Sequence, residues 1–260
     1  MGQRALRMAC VIVVVGLFGS AALAGDLLGP PTPSTTQGQW LWGVEYAHSN
    51  MDLEVSGPVS PLNDAVINFD SNKYFARIGY GISDDCEIYV LLGLADGAFD
   101  GDGAGPDFDG DADFAYGLGI KKTIAQNGSW TWGTVFQATW GEVNDDMTAP
   151  VGGATIGSGA ISLAAGLHKV TLDWYEFMLA FGPTVAMSED VSVYGGPYIN
   201  LFEGDLEIRG SQNEYELEQR LELGGFLGIL LNLGQGLSVN VEGQAGVDSW
   251  LGGIGVQLRQ

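Results

Sequence analysis

The chain has 260 residues, with 10 Lys and Arg against 32 Asp and Glu, and this formal charge of −22 excludes nucleic acid and anionic bilayer surfaces as electrostatic partners. Cations or basic surface proteins fit it better. Its 41 glycines and mean hydropathy of +0.13 suit hydrophobicity divided between two faces of a sheet, and exclude a bundle of membrane helices.

The chain opens with Arg4 and Arg7, an apolar run from Ala9 to Phe18 and the small-residue site Ala22-Leu23-Ala24, which predict a secretory signal peptide over residues 1–24 cut before Gly25. The apolar run is too short to cross roughly 30 Å of hydrocarbon as an anchor. Cleavage removes two arginines, taking the charge from −22 to −24, and removes Cys10, so that Cys86 alone remains and no intrachain disulfide can form. Residues 25–39, with Pro30, Pro31 and Pro33, read as a flexible periplasmic leader without fixed structure.

Residues 40–260 then form one domain of short segments with period-2 alternation. The first places Trp40, Trp42, Val44 and Tyr46 on one face and Leu41, Gly43, Glu45 and Ala47 on the other. The second turns Tyr74, Ala76, Ile78, Tyr80 and Ile82 outward and Lys73, Phe75, Arg77 and Gly79 inward, and Ser83-Asp84-Asp85 leads into a third with Ile88, Val90, Leu92 and Leu94 outward. The fourth carries Phe114, Tyr116, Leu118 and Ile120; after Gln126-Asn127-Gly128 the fifth shows Trp130, Trp132, Thr134, Phe136, Ala138 and Trp140. The sixth sets Phe177, Leu179, Phe181 and Val185 against Glu176, Ala180, Gly182 and Thr184, and turns at Ser188-Glu189-Asp190 into a seventh, Val191 to Phe202, of ambiguous phase. Leu221, Leu223, Leu227, Ile229, Leu231 and Leu233 mark the eighth, Leu237, Val239 and Val241 the ninth, and Ile254, Val256 and Leu258 the tenth.

Connections after even-numbered strands are tight turns and those after odd-numbered ones exceed a dozen residues, the asymmetry of periplasmic turns and extracellular loops. The expectation is an all-β, transmembrane, antiparallel up-and-down β-barrel of about ten strands (eight or twelve also fit), in the outer membrane with both termini periplasmic. Aromatics form two girdles on this assignment, Trp40, Trp42, Tyr80, Trp130 and Trp132 at one level and Phe114, Tyr116, Trp140, Trp174 and Tyr175 at the other. The uncharged run within residues 144–173 is expected to extend the sheet above the membrane.

The pattern over about residues 40 to 258 resembles the small outer-membrane β-barrel proteins of bacteria, the broad class that includes the outer-membrane-protein-A-like barrels. Gly253, Val256 and Leu258 resemble the closing assembly signal of that class, although the chain ends Leu258-Arg259-Gln260 without a terminal aromatic. The resemblance implies outer-membrane lipid and the barrel-assembly machinery as partners.

Charged residues of inward phase should line the lumen, because Arg or Lys facing lipid at the midplane costs about 2 to 4 kcal/mol. Glu45, Arg77, Glu87, Lys121, Arg220, Glu222 and Glu242 form this set, with Glu45 and Arg77 placed to pair. They either plug a narrow interior or line a weakly cation-selective passive pore. Asp100, Asp102, Asp107, Asp109, Asp111 and Asp113 lie among glycines in the loop after the third strand, an oxygen-rich cluster suited to Ca²⁺. No other cofactor is expected. His48 and His168 are the only histidines and no Asp-x-His pair accompanies them, so the chain is expected not to be an enzyme. The expected role is structural or in surface interaction, through long acidic extracellular loops; a secreted soluble β-protein and a rim-site hydrolase are the remaining alternatives.

Overall fold

A computed structural model describes residues 26–56, 65–100, 106–156, 161–209 and 214–260. Ten long strands run β1 (Trp40–Ser56), β2 (Ala65–Ser83), β3 (Cys86–Phe99), β4 (Phe108–Asn127), β5 (Trp130–Ala149), β8 (Gly166–Ala186), β9 (Val191–Ile208), β10 (Glu214–Gly234), β11 (Leu237–Ala245) and β12 (Ser249–Arg259), while β6 (Ala154–Ile156) and β7 (Ile161–Leu163) form a small separate hairpin. Every pairing is antiparallel. The ring closes in the order β1-β12-β11-β10-β9-β8-β5-β4-β3-β2, which leaves no free sheet edge. At the seam Leu41 to Met51 of β1 lie opposite Arg259 to Ser249 of β12.

Most strands are longer than the roughly 9–11 residues that cross a bilayer. β8 and β10 reach 21 residues each, and the excess collects at the end carrying the long connections, here the loop end. β11 and β12 stop short of it, and above them β1 pairs directly with β10 at Glu54↔Glu218, Val55↔Leu217 and Ser56↔Glu216.

Polarity along the axis then inverts. In the membrane zone the outward faces are apolar (Val44, Val90, Leu118, Leu227) and the inward residues include Lys73, Arg77, Glu87 and Lys121. Toward the loop end the inward set becomes Leu53, Val55, Phe69, Leu172, Leu206 and Leu217, a packed hydrophobic core, while charged residues point out. On β10 a bulge between Gln219 and Glu222 shifts the alternation by one residue, so Leu217 and Glu222 both face inward despite their odd separation. The expected extension of residues 144–173 is a near-continuous β5–β8 ladder from Trp130↔Val185 to Ala149↔Gly166, capped by the β6–β7 hairpin, whose Ile161 and Leu163 enter the same core.

Two expectations need correction. Trp174 leaves the outer aromatic girdle: it faces the lumen, stacks on Phe202 at 6.0 Å and carries the Lys73 ammonium 4.7 Å from its ring centroid. Residues 26–39 are no loose leader either. Asp26, Leu27 and Leu28 are buried inside the barrel, because a ring of ten strands encloses more volume than its own inward side chains fill.

Candidate functional site

The lumen of the membrane zone holds a hydrogen-bonded ion network built on the N-terminal segment. On β2, Arg77 donates through Nε to Glu45 Oε2 at 2.8 Å and through Nη2 to Glu45 Oε1 at 3.2 Å and to the Leu27 carbonyl at 2.8 Å, with its guanidinium 4.0 Å from the Tyr89 ring centroid. Two residues along the same face, Lys73 Nζ lies 2.9 Å from Asp26 Oδ1 and 2.7 Å from Glu176 Oε2. Lys121 of β4 donates to the Pro30 carbonyl at 2.8 Å. Glu242 of β11 accepts the Leu28 amide at 3.0 Å, and Glu87 of β3 accepts the amides of Ser34 and Thr35 at 2.9 and 3.0 Å. Charges out of water are tolerated here because nearly every one has a partner of opposite sign or a backbone dipole.

The structure therefore gathers Glu45, Arg77, Glu87, Lys121 and Glu242 around one segment. Glu222 stands apart, at the β10 bulge, where it accepts the Asp248 amide and Gln219 Nε2 at 2.9 Å each and bonds the Ser249 hydroxyl, so that it ties down the β11–β12 tip. The Arg220 side chain lies outside the described residues. Asp26, Lys73 and Glu176 belong to the network but were not among the sequence candidates. Their signals were present: Lys73 and Glu176 have inward phase, and Asp26-Leu27-Leu28 is an apolar pair behind an acid in an otherwise Pro- and Gly-rich stretch.

The aspartate-rich connection is mostly strand. Asp109 and Asp111 alternate on the outward face of β4, one pleat repeat apart, and Asp113 is exposed where the register shifts just beyond them, so the carboxylates are strung along the strand. Asp100 and Asp107 are exposed at its ends, and Asp102 lies outside the described residues. Among the described residues no three Asp, Glu, His or Cys side chains converge as a metal site.

A second constellation emerges on the outer wall just above the girdle. Glu142, Asp173, Asp205 and Glu216 lie directly opposite one another in succession across β5, β8, β9 and β10, and Glu203, Glu218 and Glu54 form a parallel row on β9, β10 and β1. Like charges facing each other across a ladder are destabilising. Beneath them a groove of about 440 Å³ has Tyr116, Trp140 and Tyr175 in its floor and Asp113, Glu142, Asp173 and Asp205 on its rim. Tyr116 and Trp140 stack with centroids 5.6 Å apart. Aromatic faces beneath carboxylates favour a cation.

Partial burial, then Glu142, Glu207 and Asp205, raise the Asp173 carboxyl above its ordinary 3.8. The folded state therefore binds its proton more tightly than the unfolded chain, so Asp173 stabilises the fold below its unfolded value and loses that contribution as pH rises through the folded one. Asp173→Asn, which is neutral throughout, is expected to melt above the wild type at about pH 7 and to match it at about pH 3. Equal differences at both pH values in thermal melts in detergent would remove the coupling.

A closed ten-strand ring with an oily outer belt and a polar interior defines the class by its architecture: the chain has the fold of the outer-membrane β-barrel proteins. No protein-family model and no curated protein matches the sequence. Similar solved structures include the outer membrane protease OmpT from Escherichia coli, at 8% identity and a TM-score of 0.50 over 87% of this chain and 98% of that one. The translocator domain of the autotransporter NalP from Neisseria meningitidis is similar at 9% identity and TM-score 0.47, covering 98% of this chain and 95% of that one. The attachment invasion locus protein Ail of Yersinia pestis matches at 13% identity and TM-score 0.36, covering 86% and 100%. These likenesses concern the fold. They overturn one expectation, the assignment of no enzyme activity: OmpT is a protease on this architecture, so a barrel of this kind does not by itself exclude catalysis.

Proposed function

We propose that the protein acts at the cell surface through the acid-faced extension of its barrel, with the loop end outside, both termini in the periplasm and cationic ligands or basic proteins as its partners. The observation that carries this reading is the ladder Glu142–Asp173–Asp205–Glu216. Four carboxylates set directly opposite one another oppose folding, and a bound cation relieves that repulsion. The aromatic floor beneath supplies a surface on which an Arg or Lys side chain can lie. Short turns at one end and long strands at the other support the orientation. A lumen filled by the N-terminal segment supports a surface role over passage through the barrel.

The refolded protein is expected to bind a fluorescent hexalysine peptide, with affinity falling as salt rises. The variant Glu142→Gln/Asp173→Asn/Asp205→Asn/Glu216→Gln should bind about tenfold more weakly, the sum of four exposed charge contacts of about 0.3 to 0.4 kcal/mol each. Unchanged binding by that variant would move the contact surface elsewhere.

A further inference from the structure

The way the N-terminal segment is held is the way a protein holds a peptide ligand. Above the turn-end mouth, where Gly38 donates to the Gly81 carbonyl at 2.9 Å, residues 26–37 join none of the ring's ladders. Their main chain is read by side chains of the wall. Gln244 Nε2 donates to the Asp26 carbonyl at 2.7 Å, Arg77 to that of Leu27, Lys121 to that of Pro30 and Arg259 Nη1 to that of Ser34 at 3.0 Å, while Glu242 and Glu87 accept the amides of Leu28, Ser34 and Thr35. Recognition of this kind tolerates many sequences, because every peptide offers the same carbonyls and amides.

The segment's composition matches such a channel. A peptide without a neighbouring strand strands its amide donors away from water, and Pro30, Pro31 and Pro33 have none to strand. Side chains specify a few positions: Asp26 meets Lys73, Leu27 packs against Gly253 and Gly255 of β12, where any Cβ would crowd it, and nearer the mouth the Thr32 hydroxyl bonds that of Thr184 at 3.0 Å and the Thr35 hydroxyl donates to Glu87 at 2.8 Å. The wall also keeps capacity that the segment does not use, since Glu87 Oε1, Gln244 Oε1 and Gln257 Oε1 are buried without a hydrogen-bond partner. At the mouth a groove of about 560 Å³ runs beside Pro30, Pro33 and Ser34 and opens at the turn end.

We infer that the lumen is a binding channel for a proline-containing polypeptide segment, that residues 26–37 are its resident occupant, and that such a segment supplied in trans through the turn-end mouth exchanges with it. This stands independently of the acid-faced exterior.

The test uses the barrel lacking residues 26–37, refolded in detergent and shown folded by its heat-dependent gel shift, with a synthetic peptide of residues 26–37 labelled at its C-terminal end. Saturable binding is expected. Lys73→Met or Glu87→Gln should weaken it at least tenfold, and replacing the three prolines of the peptide by alanine should weaken it too, whereas a peptide in which only Ser34, Thr36 and Gln37 are permuted should bind within a few-fold. A folded deletion barrel that does not bind the peptide overturns the inference. Where the deletion variant does not fold, a protease site placed between Gln37 and Gly38 of the otherwise intact chain is cut after refolding. Exchange of the cut segment for labelled peptide supports the inference; retention without exchange, or loss without rebinding, overturns it.

Discussion

Arg77→Met is expected to destabilise the folded barrel by about 3–5 kcal/mol, the usual cost of removing one partner from a buried ion pair. Arg77 is 1% exposed, and its fork is shared between Glu45 on β1 and the Leu27 carbonyl of the inner segment. Its loss leaves the Glu45 carboxylate, itself 4% exposed, without its hydrogen-bonded countercharge, and frees the buried Leu27 carbonyl. The Tyr89 ring loses the cation lying over it as well. The matching variant Glu45→Gln/Arg77→Met removes both charges and should recover a large part of the loss, because two neutral side chains carry no ionic desolvation cost. Urea unfolding in detergent, followed by fluorescence of the tryptophans at the turn-end girdle, measures both variants. A double variant no more stable than Arg77→Met alone would show that unpaired charge is not what the single substitution introduces.

The membrane zone was legible in the sequence because one physical rule governs it. An outward residue meets hydrocarbon, an inward one meets a polar lumen, and the alternation Trp40, Trp42, Val44, Tyr46 against Leu41, Gly43, Glu45, Ala47 writes this down residue by residue. The same rule hides the loop end. Asp205-Leu206-Glu207-Ile208 and Tyr215-Glu216-Leu217-Glu218 alternate just as strictly, but there water lies outside and the apolar set turns in, so an oily outward face does not mark these segments as strand. β9 was ambiguous for a related reason: Tyr194 and Tyr198 are inward aromatics seated directly opposite Gly228 and Gly224, whose missing side chains make room for the rings. The buried pairing of Glu45 with Arg77 follows from strand phase alone. The contacts of Asp26 do not, since they depend on a segment that pairs with no strand and is ordered only by what surrounds it.

Inversion of polarity makes two neighbouring positions on β10 opposite in tolerance. Leu217 is fully buried, opposite Val55 of β1 and Gly204 of β9, whereas Glu218 points to solvent between Glu54 and Glu203. Leu217→Lys puts an ammonium among apolar side chains, with Val55 and Gly204 and no carboxylate directly opposite it, and removes a buried leucine, which together cost about 5 kcal/mol or more. Glu218→Lys places a positive charge between two negative ones and is expected to be neutral or to stabilise by about 0.2–1 kcal/mol. The damage from Leu217→Lys should also be confined. The polar lumen begins at the next inward residues, Gln219 and then Glu222, and its Lys73, Arg77 and Lys121 contacts do not pass through Leu217. The extension should thus become open to chymotrypsin while the membrane zone keeps its heat-dependent gel shift, and Glu218→Lys should leave both properties as they are. Equal protease resistance of the two variants would mean that the loop end has no apolar core of its own, and that the strands above the bilayer are held by hydrogen bonding alone.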